Sequence, residues 1–264
     1  MHLLTNIYLL WPSCILKDFL MNIQTAIQWQ SKNKLFVSLA TKPGKTGETF
    51  YKILFDYYKV NAEYVACKCD NIYEDMILAK RLCAGASVTM PYKEEVSKYI
   101  DSWECRYGIT NTIKFNNNKA VAYNCDYLGL KDLLSGLIKN KTIVLLGDGA
   151  MSKNVLHLAE NTAEVKQFSR KLGNWEQRHI DCDILINTTS IGMEPDKCPV
   201  ESVNAELVVD CVIGPTVLTK LAKYKITGAD IYKAQLKHQF RIYTDIDPAK
   251  DLIDKIGESI FNYD

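Results

Sequence analysis

The sequence predicts an α/β protein built as two units, each a mostly parallel sheet covered by helices. Three observations carry that prediction. At 264 residues the chain exceeds the usual single unit of about 100–150 residues. From Lys34 onward, short apolar runs alternate with stretches of helical period, the order that winds a parallel sheet. The pattern then restarts abruptly at "KTIVLLGDGAMSKNVLHLA", residues 141–159.

In chain order, "KLFVSL" (34–39) reads as the first strand. Thr46 is placed to cap the next helix, whose Phe50, Ile53, Leu54 and Tyr57 fall at i, i+3, i+4 and i+7. "AEYVAC" (62–67) reads as a strand, "IYEDMILAKRL" (72–82) as a helix and "AGASVTM" (84–90) as the third strand. Pro91 then suits the opening of a helix, because it brings no N–H that needs a partner. "ITNTIKF" and "KAVAYNC" flank the turn-rich "NNN" of residues 116–118 and predict an antiparallel hairpin. A helix from about Tyr127 to Lys139, apolar at Leu130, Leu133, Leu134, Leu137 and Ile138, bridges to the second unit. There "IVLL", "AEVKQFSRK", "CDILINTTS" and "ELVVDCVIG" read as strands, and "QLKHQFRIYTD" turns helical again. Residues 1–33 are expected to form an extension packed on the first unit as helix. Thr5, Asn6 and Pro12 interrupt its apolar run, and no cationic segment precedes it.

Composition narrows the partners. The 32 basic and 31 acidic side chains nearly cancel, with no long run of one sign, so neither nucleic acid nor a membrane is an expected partner. Nine cysteines without a CxxC pair suit reduced thiols in a cytoplasmic protein. His2, His157, His179 and His238 stand far apart, so no metal site is expected. What remains is a small-molecule or protein partner, with a small-molecule substrate expected and the chain a monomer or homodimer.

The clearest motif is "IVLLGDGAMS", where Gly147 and Gly149 follow a buried strand and open a helix. Glycines there let backbone approach a pyrophosphate, and the helix N-terminus offers it N–H groups and partial positive charge. This points to a Rossmann-like dinucleotide-binding domain, although Ser152 occupies the third position of GxGxxG. About 20 residues on, where an acidic side chain would favour NAD, the chain has "FSRK". Arg170 and Lys171 suit a 2′-phosphate and favour NADP.

Several segments together resemble the shikimate dehydrogenase family. "GASVTMPYKEEV" resembles its Asn–Val–Thr–x–Pro–aromatic–Lys segment, "GITNTI" its Asn–Thr segment and "AYNCDYLGL" its Asn–Thr–Asp–x–x–Gly segment. "INTTSIGM" resembles the strand end beside the nicotinamide, and "QLKHQFRIYT" the Gln-containing helix that returns to the first domain. These occur in the family's order from about Lys34 to the C-terminus. The resemblance implies that Lys93 is the catalytic lysine and Asp126 its partner. It also implies that Thr46, Ser87, Thr89, Asn111 and Gln235 bind substrate. The cofactor would be NADP, held by Gly147, Gly149, Ala150, Ser169, Arg170, Lys171, Thr188 and Met193.

Four positions depart from the family pattern. The two serines of its carboxylate loop correspond to Gly44 and Thr46, so one hydroxyl is lost, with Lys42 or Lys45 as substitutes. Ser87 replaces an asparagine. Ile213 stands where a tyrosine is expected, and Asp148 puts a negative charge inside the glycine loop. The resemblance implies an NADP-dependent dehydrogenase interconverting 3-dehydroshikimate and shikimate, or a related cyclic hydroxy acid such as quinate or an amino-shikimate. Residues 34–128 plus 235–264 would form the substrate domain and residues 129–234 the NADP-binding domain. The rival is a member of the fold that binds or regulates without turnover. A folate-linked methylene dehydrogenase fits the Asp126 and Gln235 segments poorly.

Overall fold

The computed structural model describes residues 21–28, 30–105, 108–194 and 196–261. The first sheet is built from β1 (Lys34–Ala40), β2 (Ala62–Lys68), β3 (Gly85–Val88), β4 (Ser102–Trp103), β5 (Thr112–Asn116) and β6 (Lys119–Tyr123), with helices α1 (Ile23–Gln28), α2 (Thr46–Tyr57) and α3 (Ile72–Leu82). Its strand order is β2-β1-β3-β5-β6-β4. The pairs β1–β2 and β1–β3 run parallel, as crossover helices require, whereas β3–β5 and β5–β6 are antiparallel. The hairpin turn falls on Asn117 and Asn118, both at positive φ, which asparagine tolerates.

Alternation along β1 sorts the core. Leu35, Val37 and Leu39 face a cluster with Ile23 of α1 and Met76 of α3. Phe36 faces the other way, into a cluster with Phe50, Tyr51 and Leu54 of α2. That second cluster is completed by two C-terminal helices, α7 (Gly228–Thr244) and α8 (Lys250–Phe261).

Between the sheets runs α4 (Cys125–Leu134). The second sheet comprises β7 (Thr142–Leu146), β8 (Glu164–Phe168), β9 (Ile184–Asn187), β10 (Leu207–Asp210) and β11 (Tyr224–Ile226), with α5 (Ala150–Ala159) and α6 (Val217–Leu221). Its order, β11-β10-β9-β7-β8, is parallel throughout. The strand order reverses between β7 and β9, so a crevice opens at their carboxyl ends. Ile143 and Leu145 pack under α4 and α5, with Ile231 of α7 joining them. Thus α7 enters both cores.

Several local expectations are corrected. Thr46 is the first residue of α2, not its cap; Lys45 occupies the cap position and makes no side-chain cap bond. Good caps occur instead at Asn71, before α3, and Asn124, before α4. Pro91 opens no regular helix: the chain turns through residues 90–94, and only Glu95–Tyr99 forms a short 3-10 helix. The Tyr92 N–H closes a turn on Thr89 O, and the Lys93 carbonyl accepts the Thr110 N–H. The bridge helix ends at Leu134, before Ser135 and Gly136, rather than at Lys139. The C-terminal helix starts seven residues before "QLKHQF", where Thr227 and Asp230 form a capping box. Of the N-terminal extension, residues 1–20 lie outside the described residues, while Ile23 and Ala26 of α1 are buried. Among the described residues, no helix is long and apolar enough to cross a membrane.

Candidate active site

A cleft of about 530 Å³ lies where α4, α7, the end of β3 and the start of α2 converge. All seven residues expected to act on or bind substrate line it: Thr46, Ser87, Thr89, Lys93, Asn111, Asp126 and Gln235. Asp126 sits in the first turn of α4, where the helix dipole favours a carboxylate. Asn124 fixes that turn by accepting the Tyr127 N–H at 3.0 Å. Lys93 reaches over from the turn after β3, and its Nζ lies 2.5 Å from Asp126 Oδ2. Their side chains are 16% and 9% exposed, so the pair sits at a cleft wall and not on open surface.

Beside this pair is a connected amide network. Asn111 donates to Gln235 Oε1 at 2.9 Å, and its own Oδ1 accepts from Cys125 N–H and from the Thr112 hydroxyl. Gln239 donates to the Thr112 hydroxyl and accepts from Tyr51. Every member anchors the next, which holds Asn111 and Gln235 at fixed orientation. The Ser87 hydroxyl is taken up by two phenols, accepting from Tyr64 at 2.7 Å and lying 3.0 Å from the Tyr243 oxygen. Burial pushes the Tyr64 phenol up to about 12. Thr89 is exposed at the cleft edge.

Sequence reasoning missed Tyr64, Tyr232 and Gln239, all of which line the cleft. Helical spacing could have found two of them: Tyr232 is three residues before Gln235 and Gln239 four after, so all share one face of α7. Cys211 also lines the cleft, half-buried, and burial pushes its thiol up, which disfavours the thiolate. Among the described residues, no group of three or more His, Cys, Asp or Glu side chains could hold a metal ion.

The second crevice, about 370 Å³, lies at the carboxyl ends of β7, β8 and β9. It is lined by Gly147, Gly149, Ser169, Arg170, Lys171 and Thr188 among others. Gly147 has φ +113°, a conformation that side chains rarely adopt. A β-carbon on Gly149 would meet no atom within 4 Å, so backbone N–H groups at the start of α5 open on free space. Ser152, the irregular third position, is buried and bonds Thr188 at 2.7 Å, and Thr188 in turn donates to Leu146 O. These two hydroxyls brace the loop against β9. Ser169 receives the Leu172 N–H and so shapes the turn that presents Arg170 and Lys171, both exposed. Ala150 is the first residue of α5, while Met193 lines the larger cleft instead. The crevice fits a dinucleotide at its glycines and a 2′-phosphate at its two cations. One group does not contribute: Asp148 Oδ2 is buried without a partner.

Comparison with known proteins gives a consistent set of relatives. A shikimate dehydrogenase (NADP(+)) of Methanococcus maripaludis is 30% identical over 248 residues, spanning 75% of this chain and 88% of that protein. A shikimate dehydrogenase-like protein of Haemophilus influenzae is 30% identical over 257 residues, spanning 83% and 94%. A solved shikimate 5-dehydrogenase-like protein superposes with a TM-score of 0.75 at 27% identity, covering 86% of this chain and 97% of that one. No protein-family model matches the chain.

Proposed function

The chain belongs to the shikimate dehydrogenase family, and we propose that it interconverts 3-dehydroshikimate and shikimate, or a closely related cyclic hydroxy acid, with NADP(H). On this reading residues 34–128 with 235–264 hold the substrate and residues 129–234 hold the cofactor, the boundary falling inside α7. The observation that carries the proposal is the Lys93–Asp126 pair, 2.5 Å apart in a cleft beside the Asn111–Gln235 amides.

Oxidising a secondary alcohol removes a proton from oxygen and a hydride from carbon. Bound NADP(H) would supply the hydride acceptor in one direction and the hydride donor in the other. The proton is the work of Lys93, whose amine accepts it from the substrate hydroxyl and whose ammonium gives it back to the ketone oxygen. Asp126 holds the ammonium and orients it, so that charge on Lys93 is stabilised at the reacting atom. Asn111 and Gln235 each offer an amide to the ring hydroxyls, exchanging their mutual bond for bonds to substrate. The braced glycine loop and the start of α5 would hold the pyrophosphate, with Arg170 and Lys171 on the 2′-phosphate.

NADPH oxidation in the presence of 3-dehydroshikimate tests this directly. Lys93→Ala is expected to lower turnover by about a hundredfold or more, the usual scale for losing a general acid–base, with NADPH binding nearly unchanged. Near-normal turnover in the variant removes the mechanism. A second reading, a fold member that binds without turnover, is favoured by the unpartnered Asp148 oxygen in the glycine loop. Failure of the wild type to bind NADPH would select it.

A further inference from the structure

The α2 end of the large cleft is built from donors. Gly44, Thr46 and Gly47 line it along the loop and first turn of α2, with Lys42 nearby. Thr46 and Gly47 open a 12-residue helix whose positive end therefore borders this space. The acid of that first turn, Glu48, does not line the cleft; its carboxylate accepts the Ala66 N–H at 2.7 Å.

Into the same space comes Tyr232 from α7. A β-carbon on Gly47 would stand 3.5 Å from its hydroxyl and 3.0 Å from the Tyr64 ring, so the absence of a side chain at Gly47 makes room for both. Tyr232 is half-buried and lines the cleft. Among the described residues its hydroxyl makes no hydrogen bond. The phenols of Tyr64 and Tyr243, by contrast, both engage Ser87. Facing the cleft, the Tyr232 hydroxyl can donate to a ligand bound there.

We propose that Tyr232 fixes the acid group of the substrate, supplying the hydroxyl donor that neither Gly44 nor Ile213 can supply. The assignment rests on the cyclic hydroxy acid reading above and adds the residue that selects for the acid. Its logic is polarity. The Thr46 hydroxyl, the Tyr232 hydroxyl, the first-turn N–H groups of α2 and the Lys42 ammonium all donate, and the one carboxylate lining the cleft, Asp126, is already paired with Lys93. A carboxylate accepts only, through two oxygens, and so satisfies several donors at once. A neutral hydroxymethyl group in its place would satisfy fewer of them and would leave the positive charge there unanswered.

Tyr232→Phe removes the hydroxyl and keeps the ring packing, so the melting temperature and NADPH affinity should stay at wild-type values. The KM for 3-dehydroshikimate should rise about tenfold or more while kcat changes by less than about threefold, the pattern for lost ground-state binding. The analogue with a hydroxymethyl group in place of the carboxylate should be equally poor for wild type and variant. Calorimetric binding of a cyclohexene carboxylate to the NADPH-loaded protein separates this proposal from the reaction itself. Acid binding that depends on Tyr232 without any turnover overturns the proposed reaction and supports the acid subsite. Unchanged KM and acid binding in Tyr232→Phe, an equal loss on the hydroxymethyl analogue, or no acid binding by wild type each overturns the assignment.

Discussion

Arg170 and Lys171 stand exposed at the end of β8, presented by a turn that Ser169 and Asn174 tie together. A phosphate between two such cations gains charge-assisted hydrogen bonds that a ribose hydroxyl cannot match. The wild type should therefore bind NADPH more tightly than NADH, and Arg170→Ala should narrow that gap by about 1–3 kcal/mol. Equal affinities for the two in the unmutated protein sink the idea. At this scale the sequence was informative where residues fall in segments that resemble the family's, as with Lys93 in "VTMPYK" and Asp126 in "AYNCDYLGL". It was silent where chemistry depends on partners distant in the chain. Ser87 lines the cleft, and its hydrogen bonds with Tyr64 and Tyr243, across 23 and 156 residues, were not legible in the sequence.

Helix α7 shows why element boundaries are harder to read than element identities. Its polar start, Thr227–Gly228–Ala229–Asp230, resembles a loop in composition, yet Thr227 receives the Asp230 N–H while Asp230 receives both the N–H and the hydroxyl of Thr227. Two reciprocal bonds convert a loop-like tetrapeptide into a helix start. Gly228 fits because a β-carbon there would collide with Val212 backbone. Burial by itself would raise the Asp230 carboxyl, but the bonds from Thr227 and Lys233 outweigh it and hold it below the ordinary carboxylate range. A lowered folded-state pKa means the stabilisation is present above the unfolded value of about 4 and is lost as pH falls through the folded value. Asp230→Asn is thus expected to cost about 1 kcal/mol at pH 7, the usual size of a helix cap. It should also flatten the loss of stability on acidification. Urea unfolding at neutral and acid pH checks this, and parallel pH slopes for the two proteins would contradict it.

The two sheets become one machine through a single helix crossing. Asp126 rides on α4 and Gln235 on α7, so the spacing of those helices sets the width of the cleft. At their contact lies Gly129, where a β-carbon would stand 2.7 Å from the Gln235 backbone nitrogen and 3.1 Å from its Cα. Such atoms belong to the facing helix itself and cannot rotate out of the way. Gly129→Ala should gain up to about 1 kcal/mol of helix propensity, but overpacking a tight contact costs about 1–3 kcal/mol, so the net effect is destabilising. Forcing α7 outward also carries Gln235 away from Asn111, and the KM for substrate should rise with little change in NADPH affinity. Gly136→Ala is the control, because a β-carbon there meets nothing within 4 Å. A net loss of about 1–2 kcal/mol would lower the melting temperature of Gly129→Ala by about 2–8 °C, with Gly136→Ala unmoved. If instead both variants melt together and bind substrate alike, the crossing does not set the cleft, and the geometry shared by Asp126 and Gln235 must come from the first sheet alone.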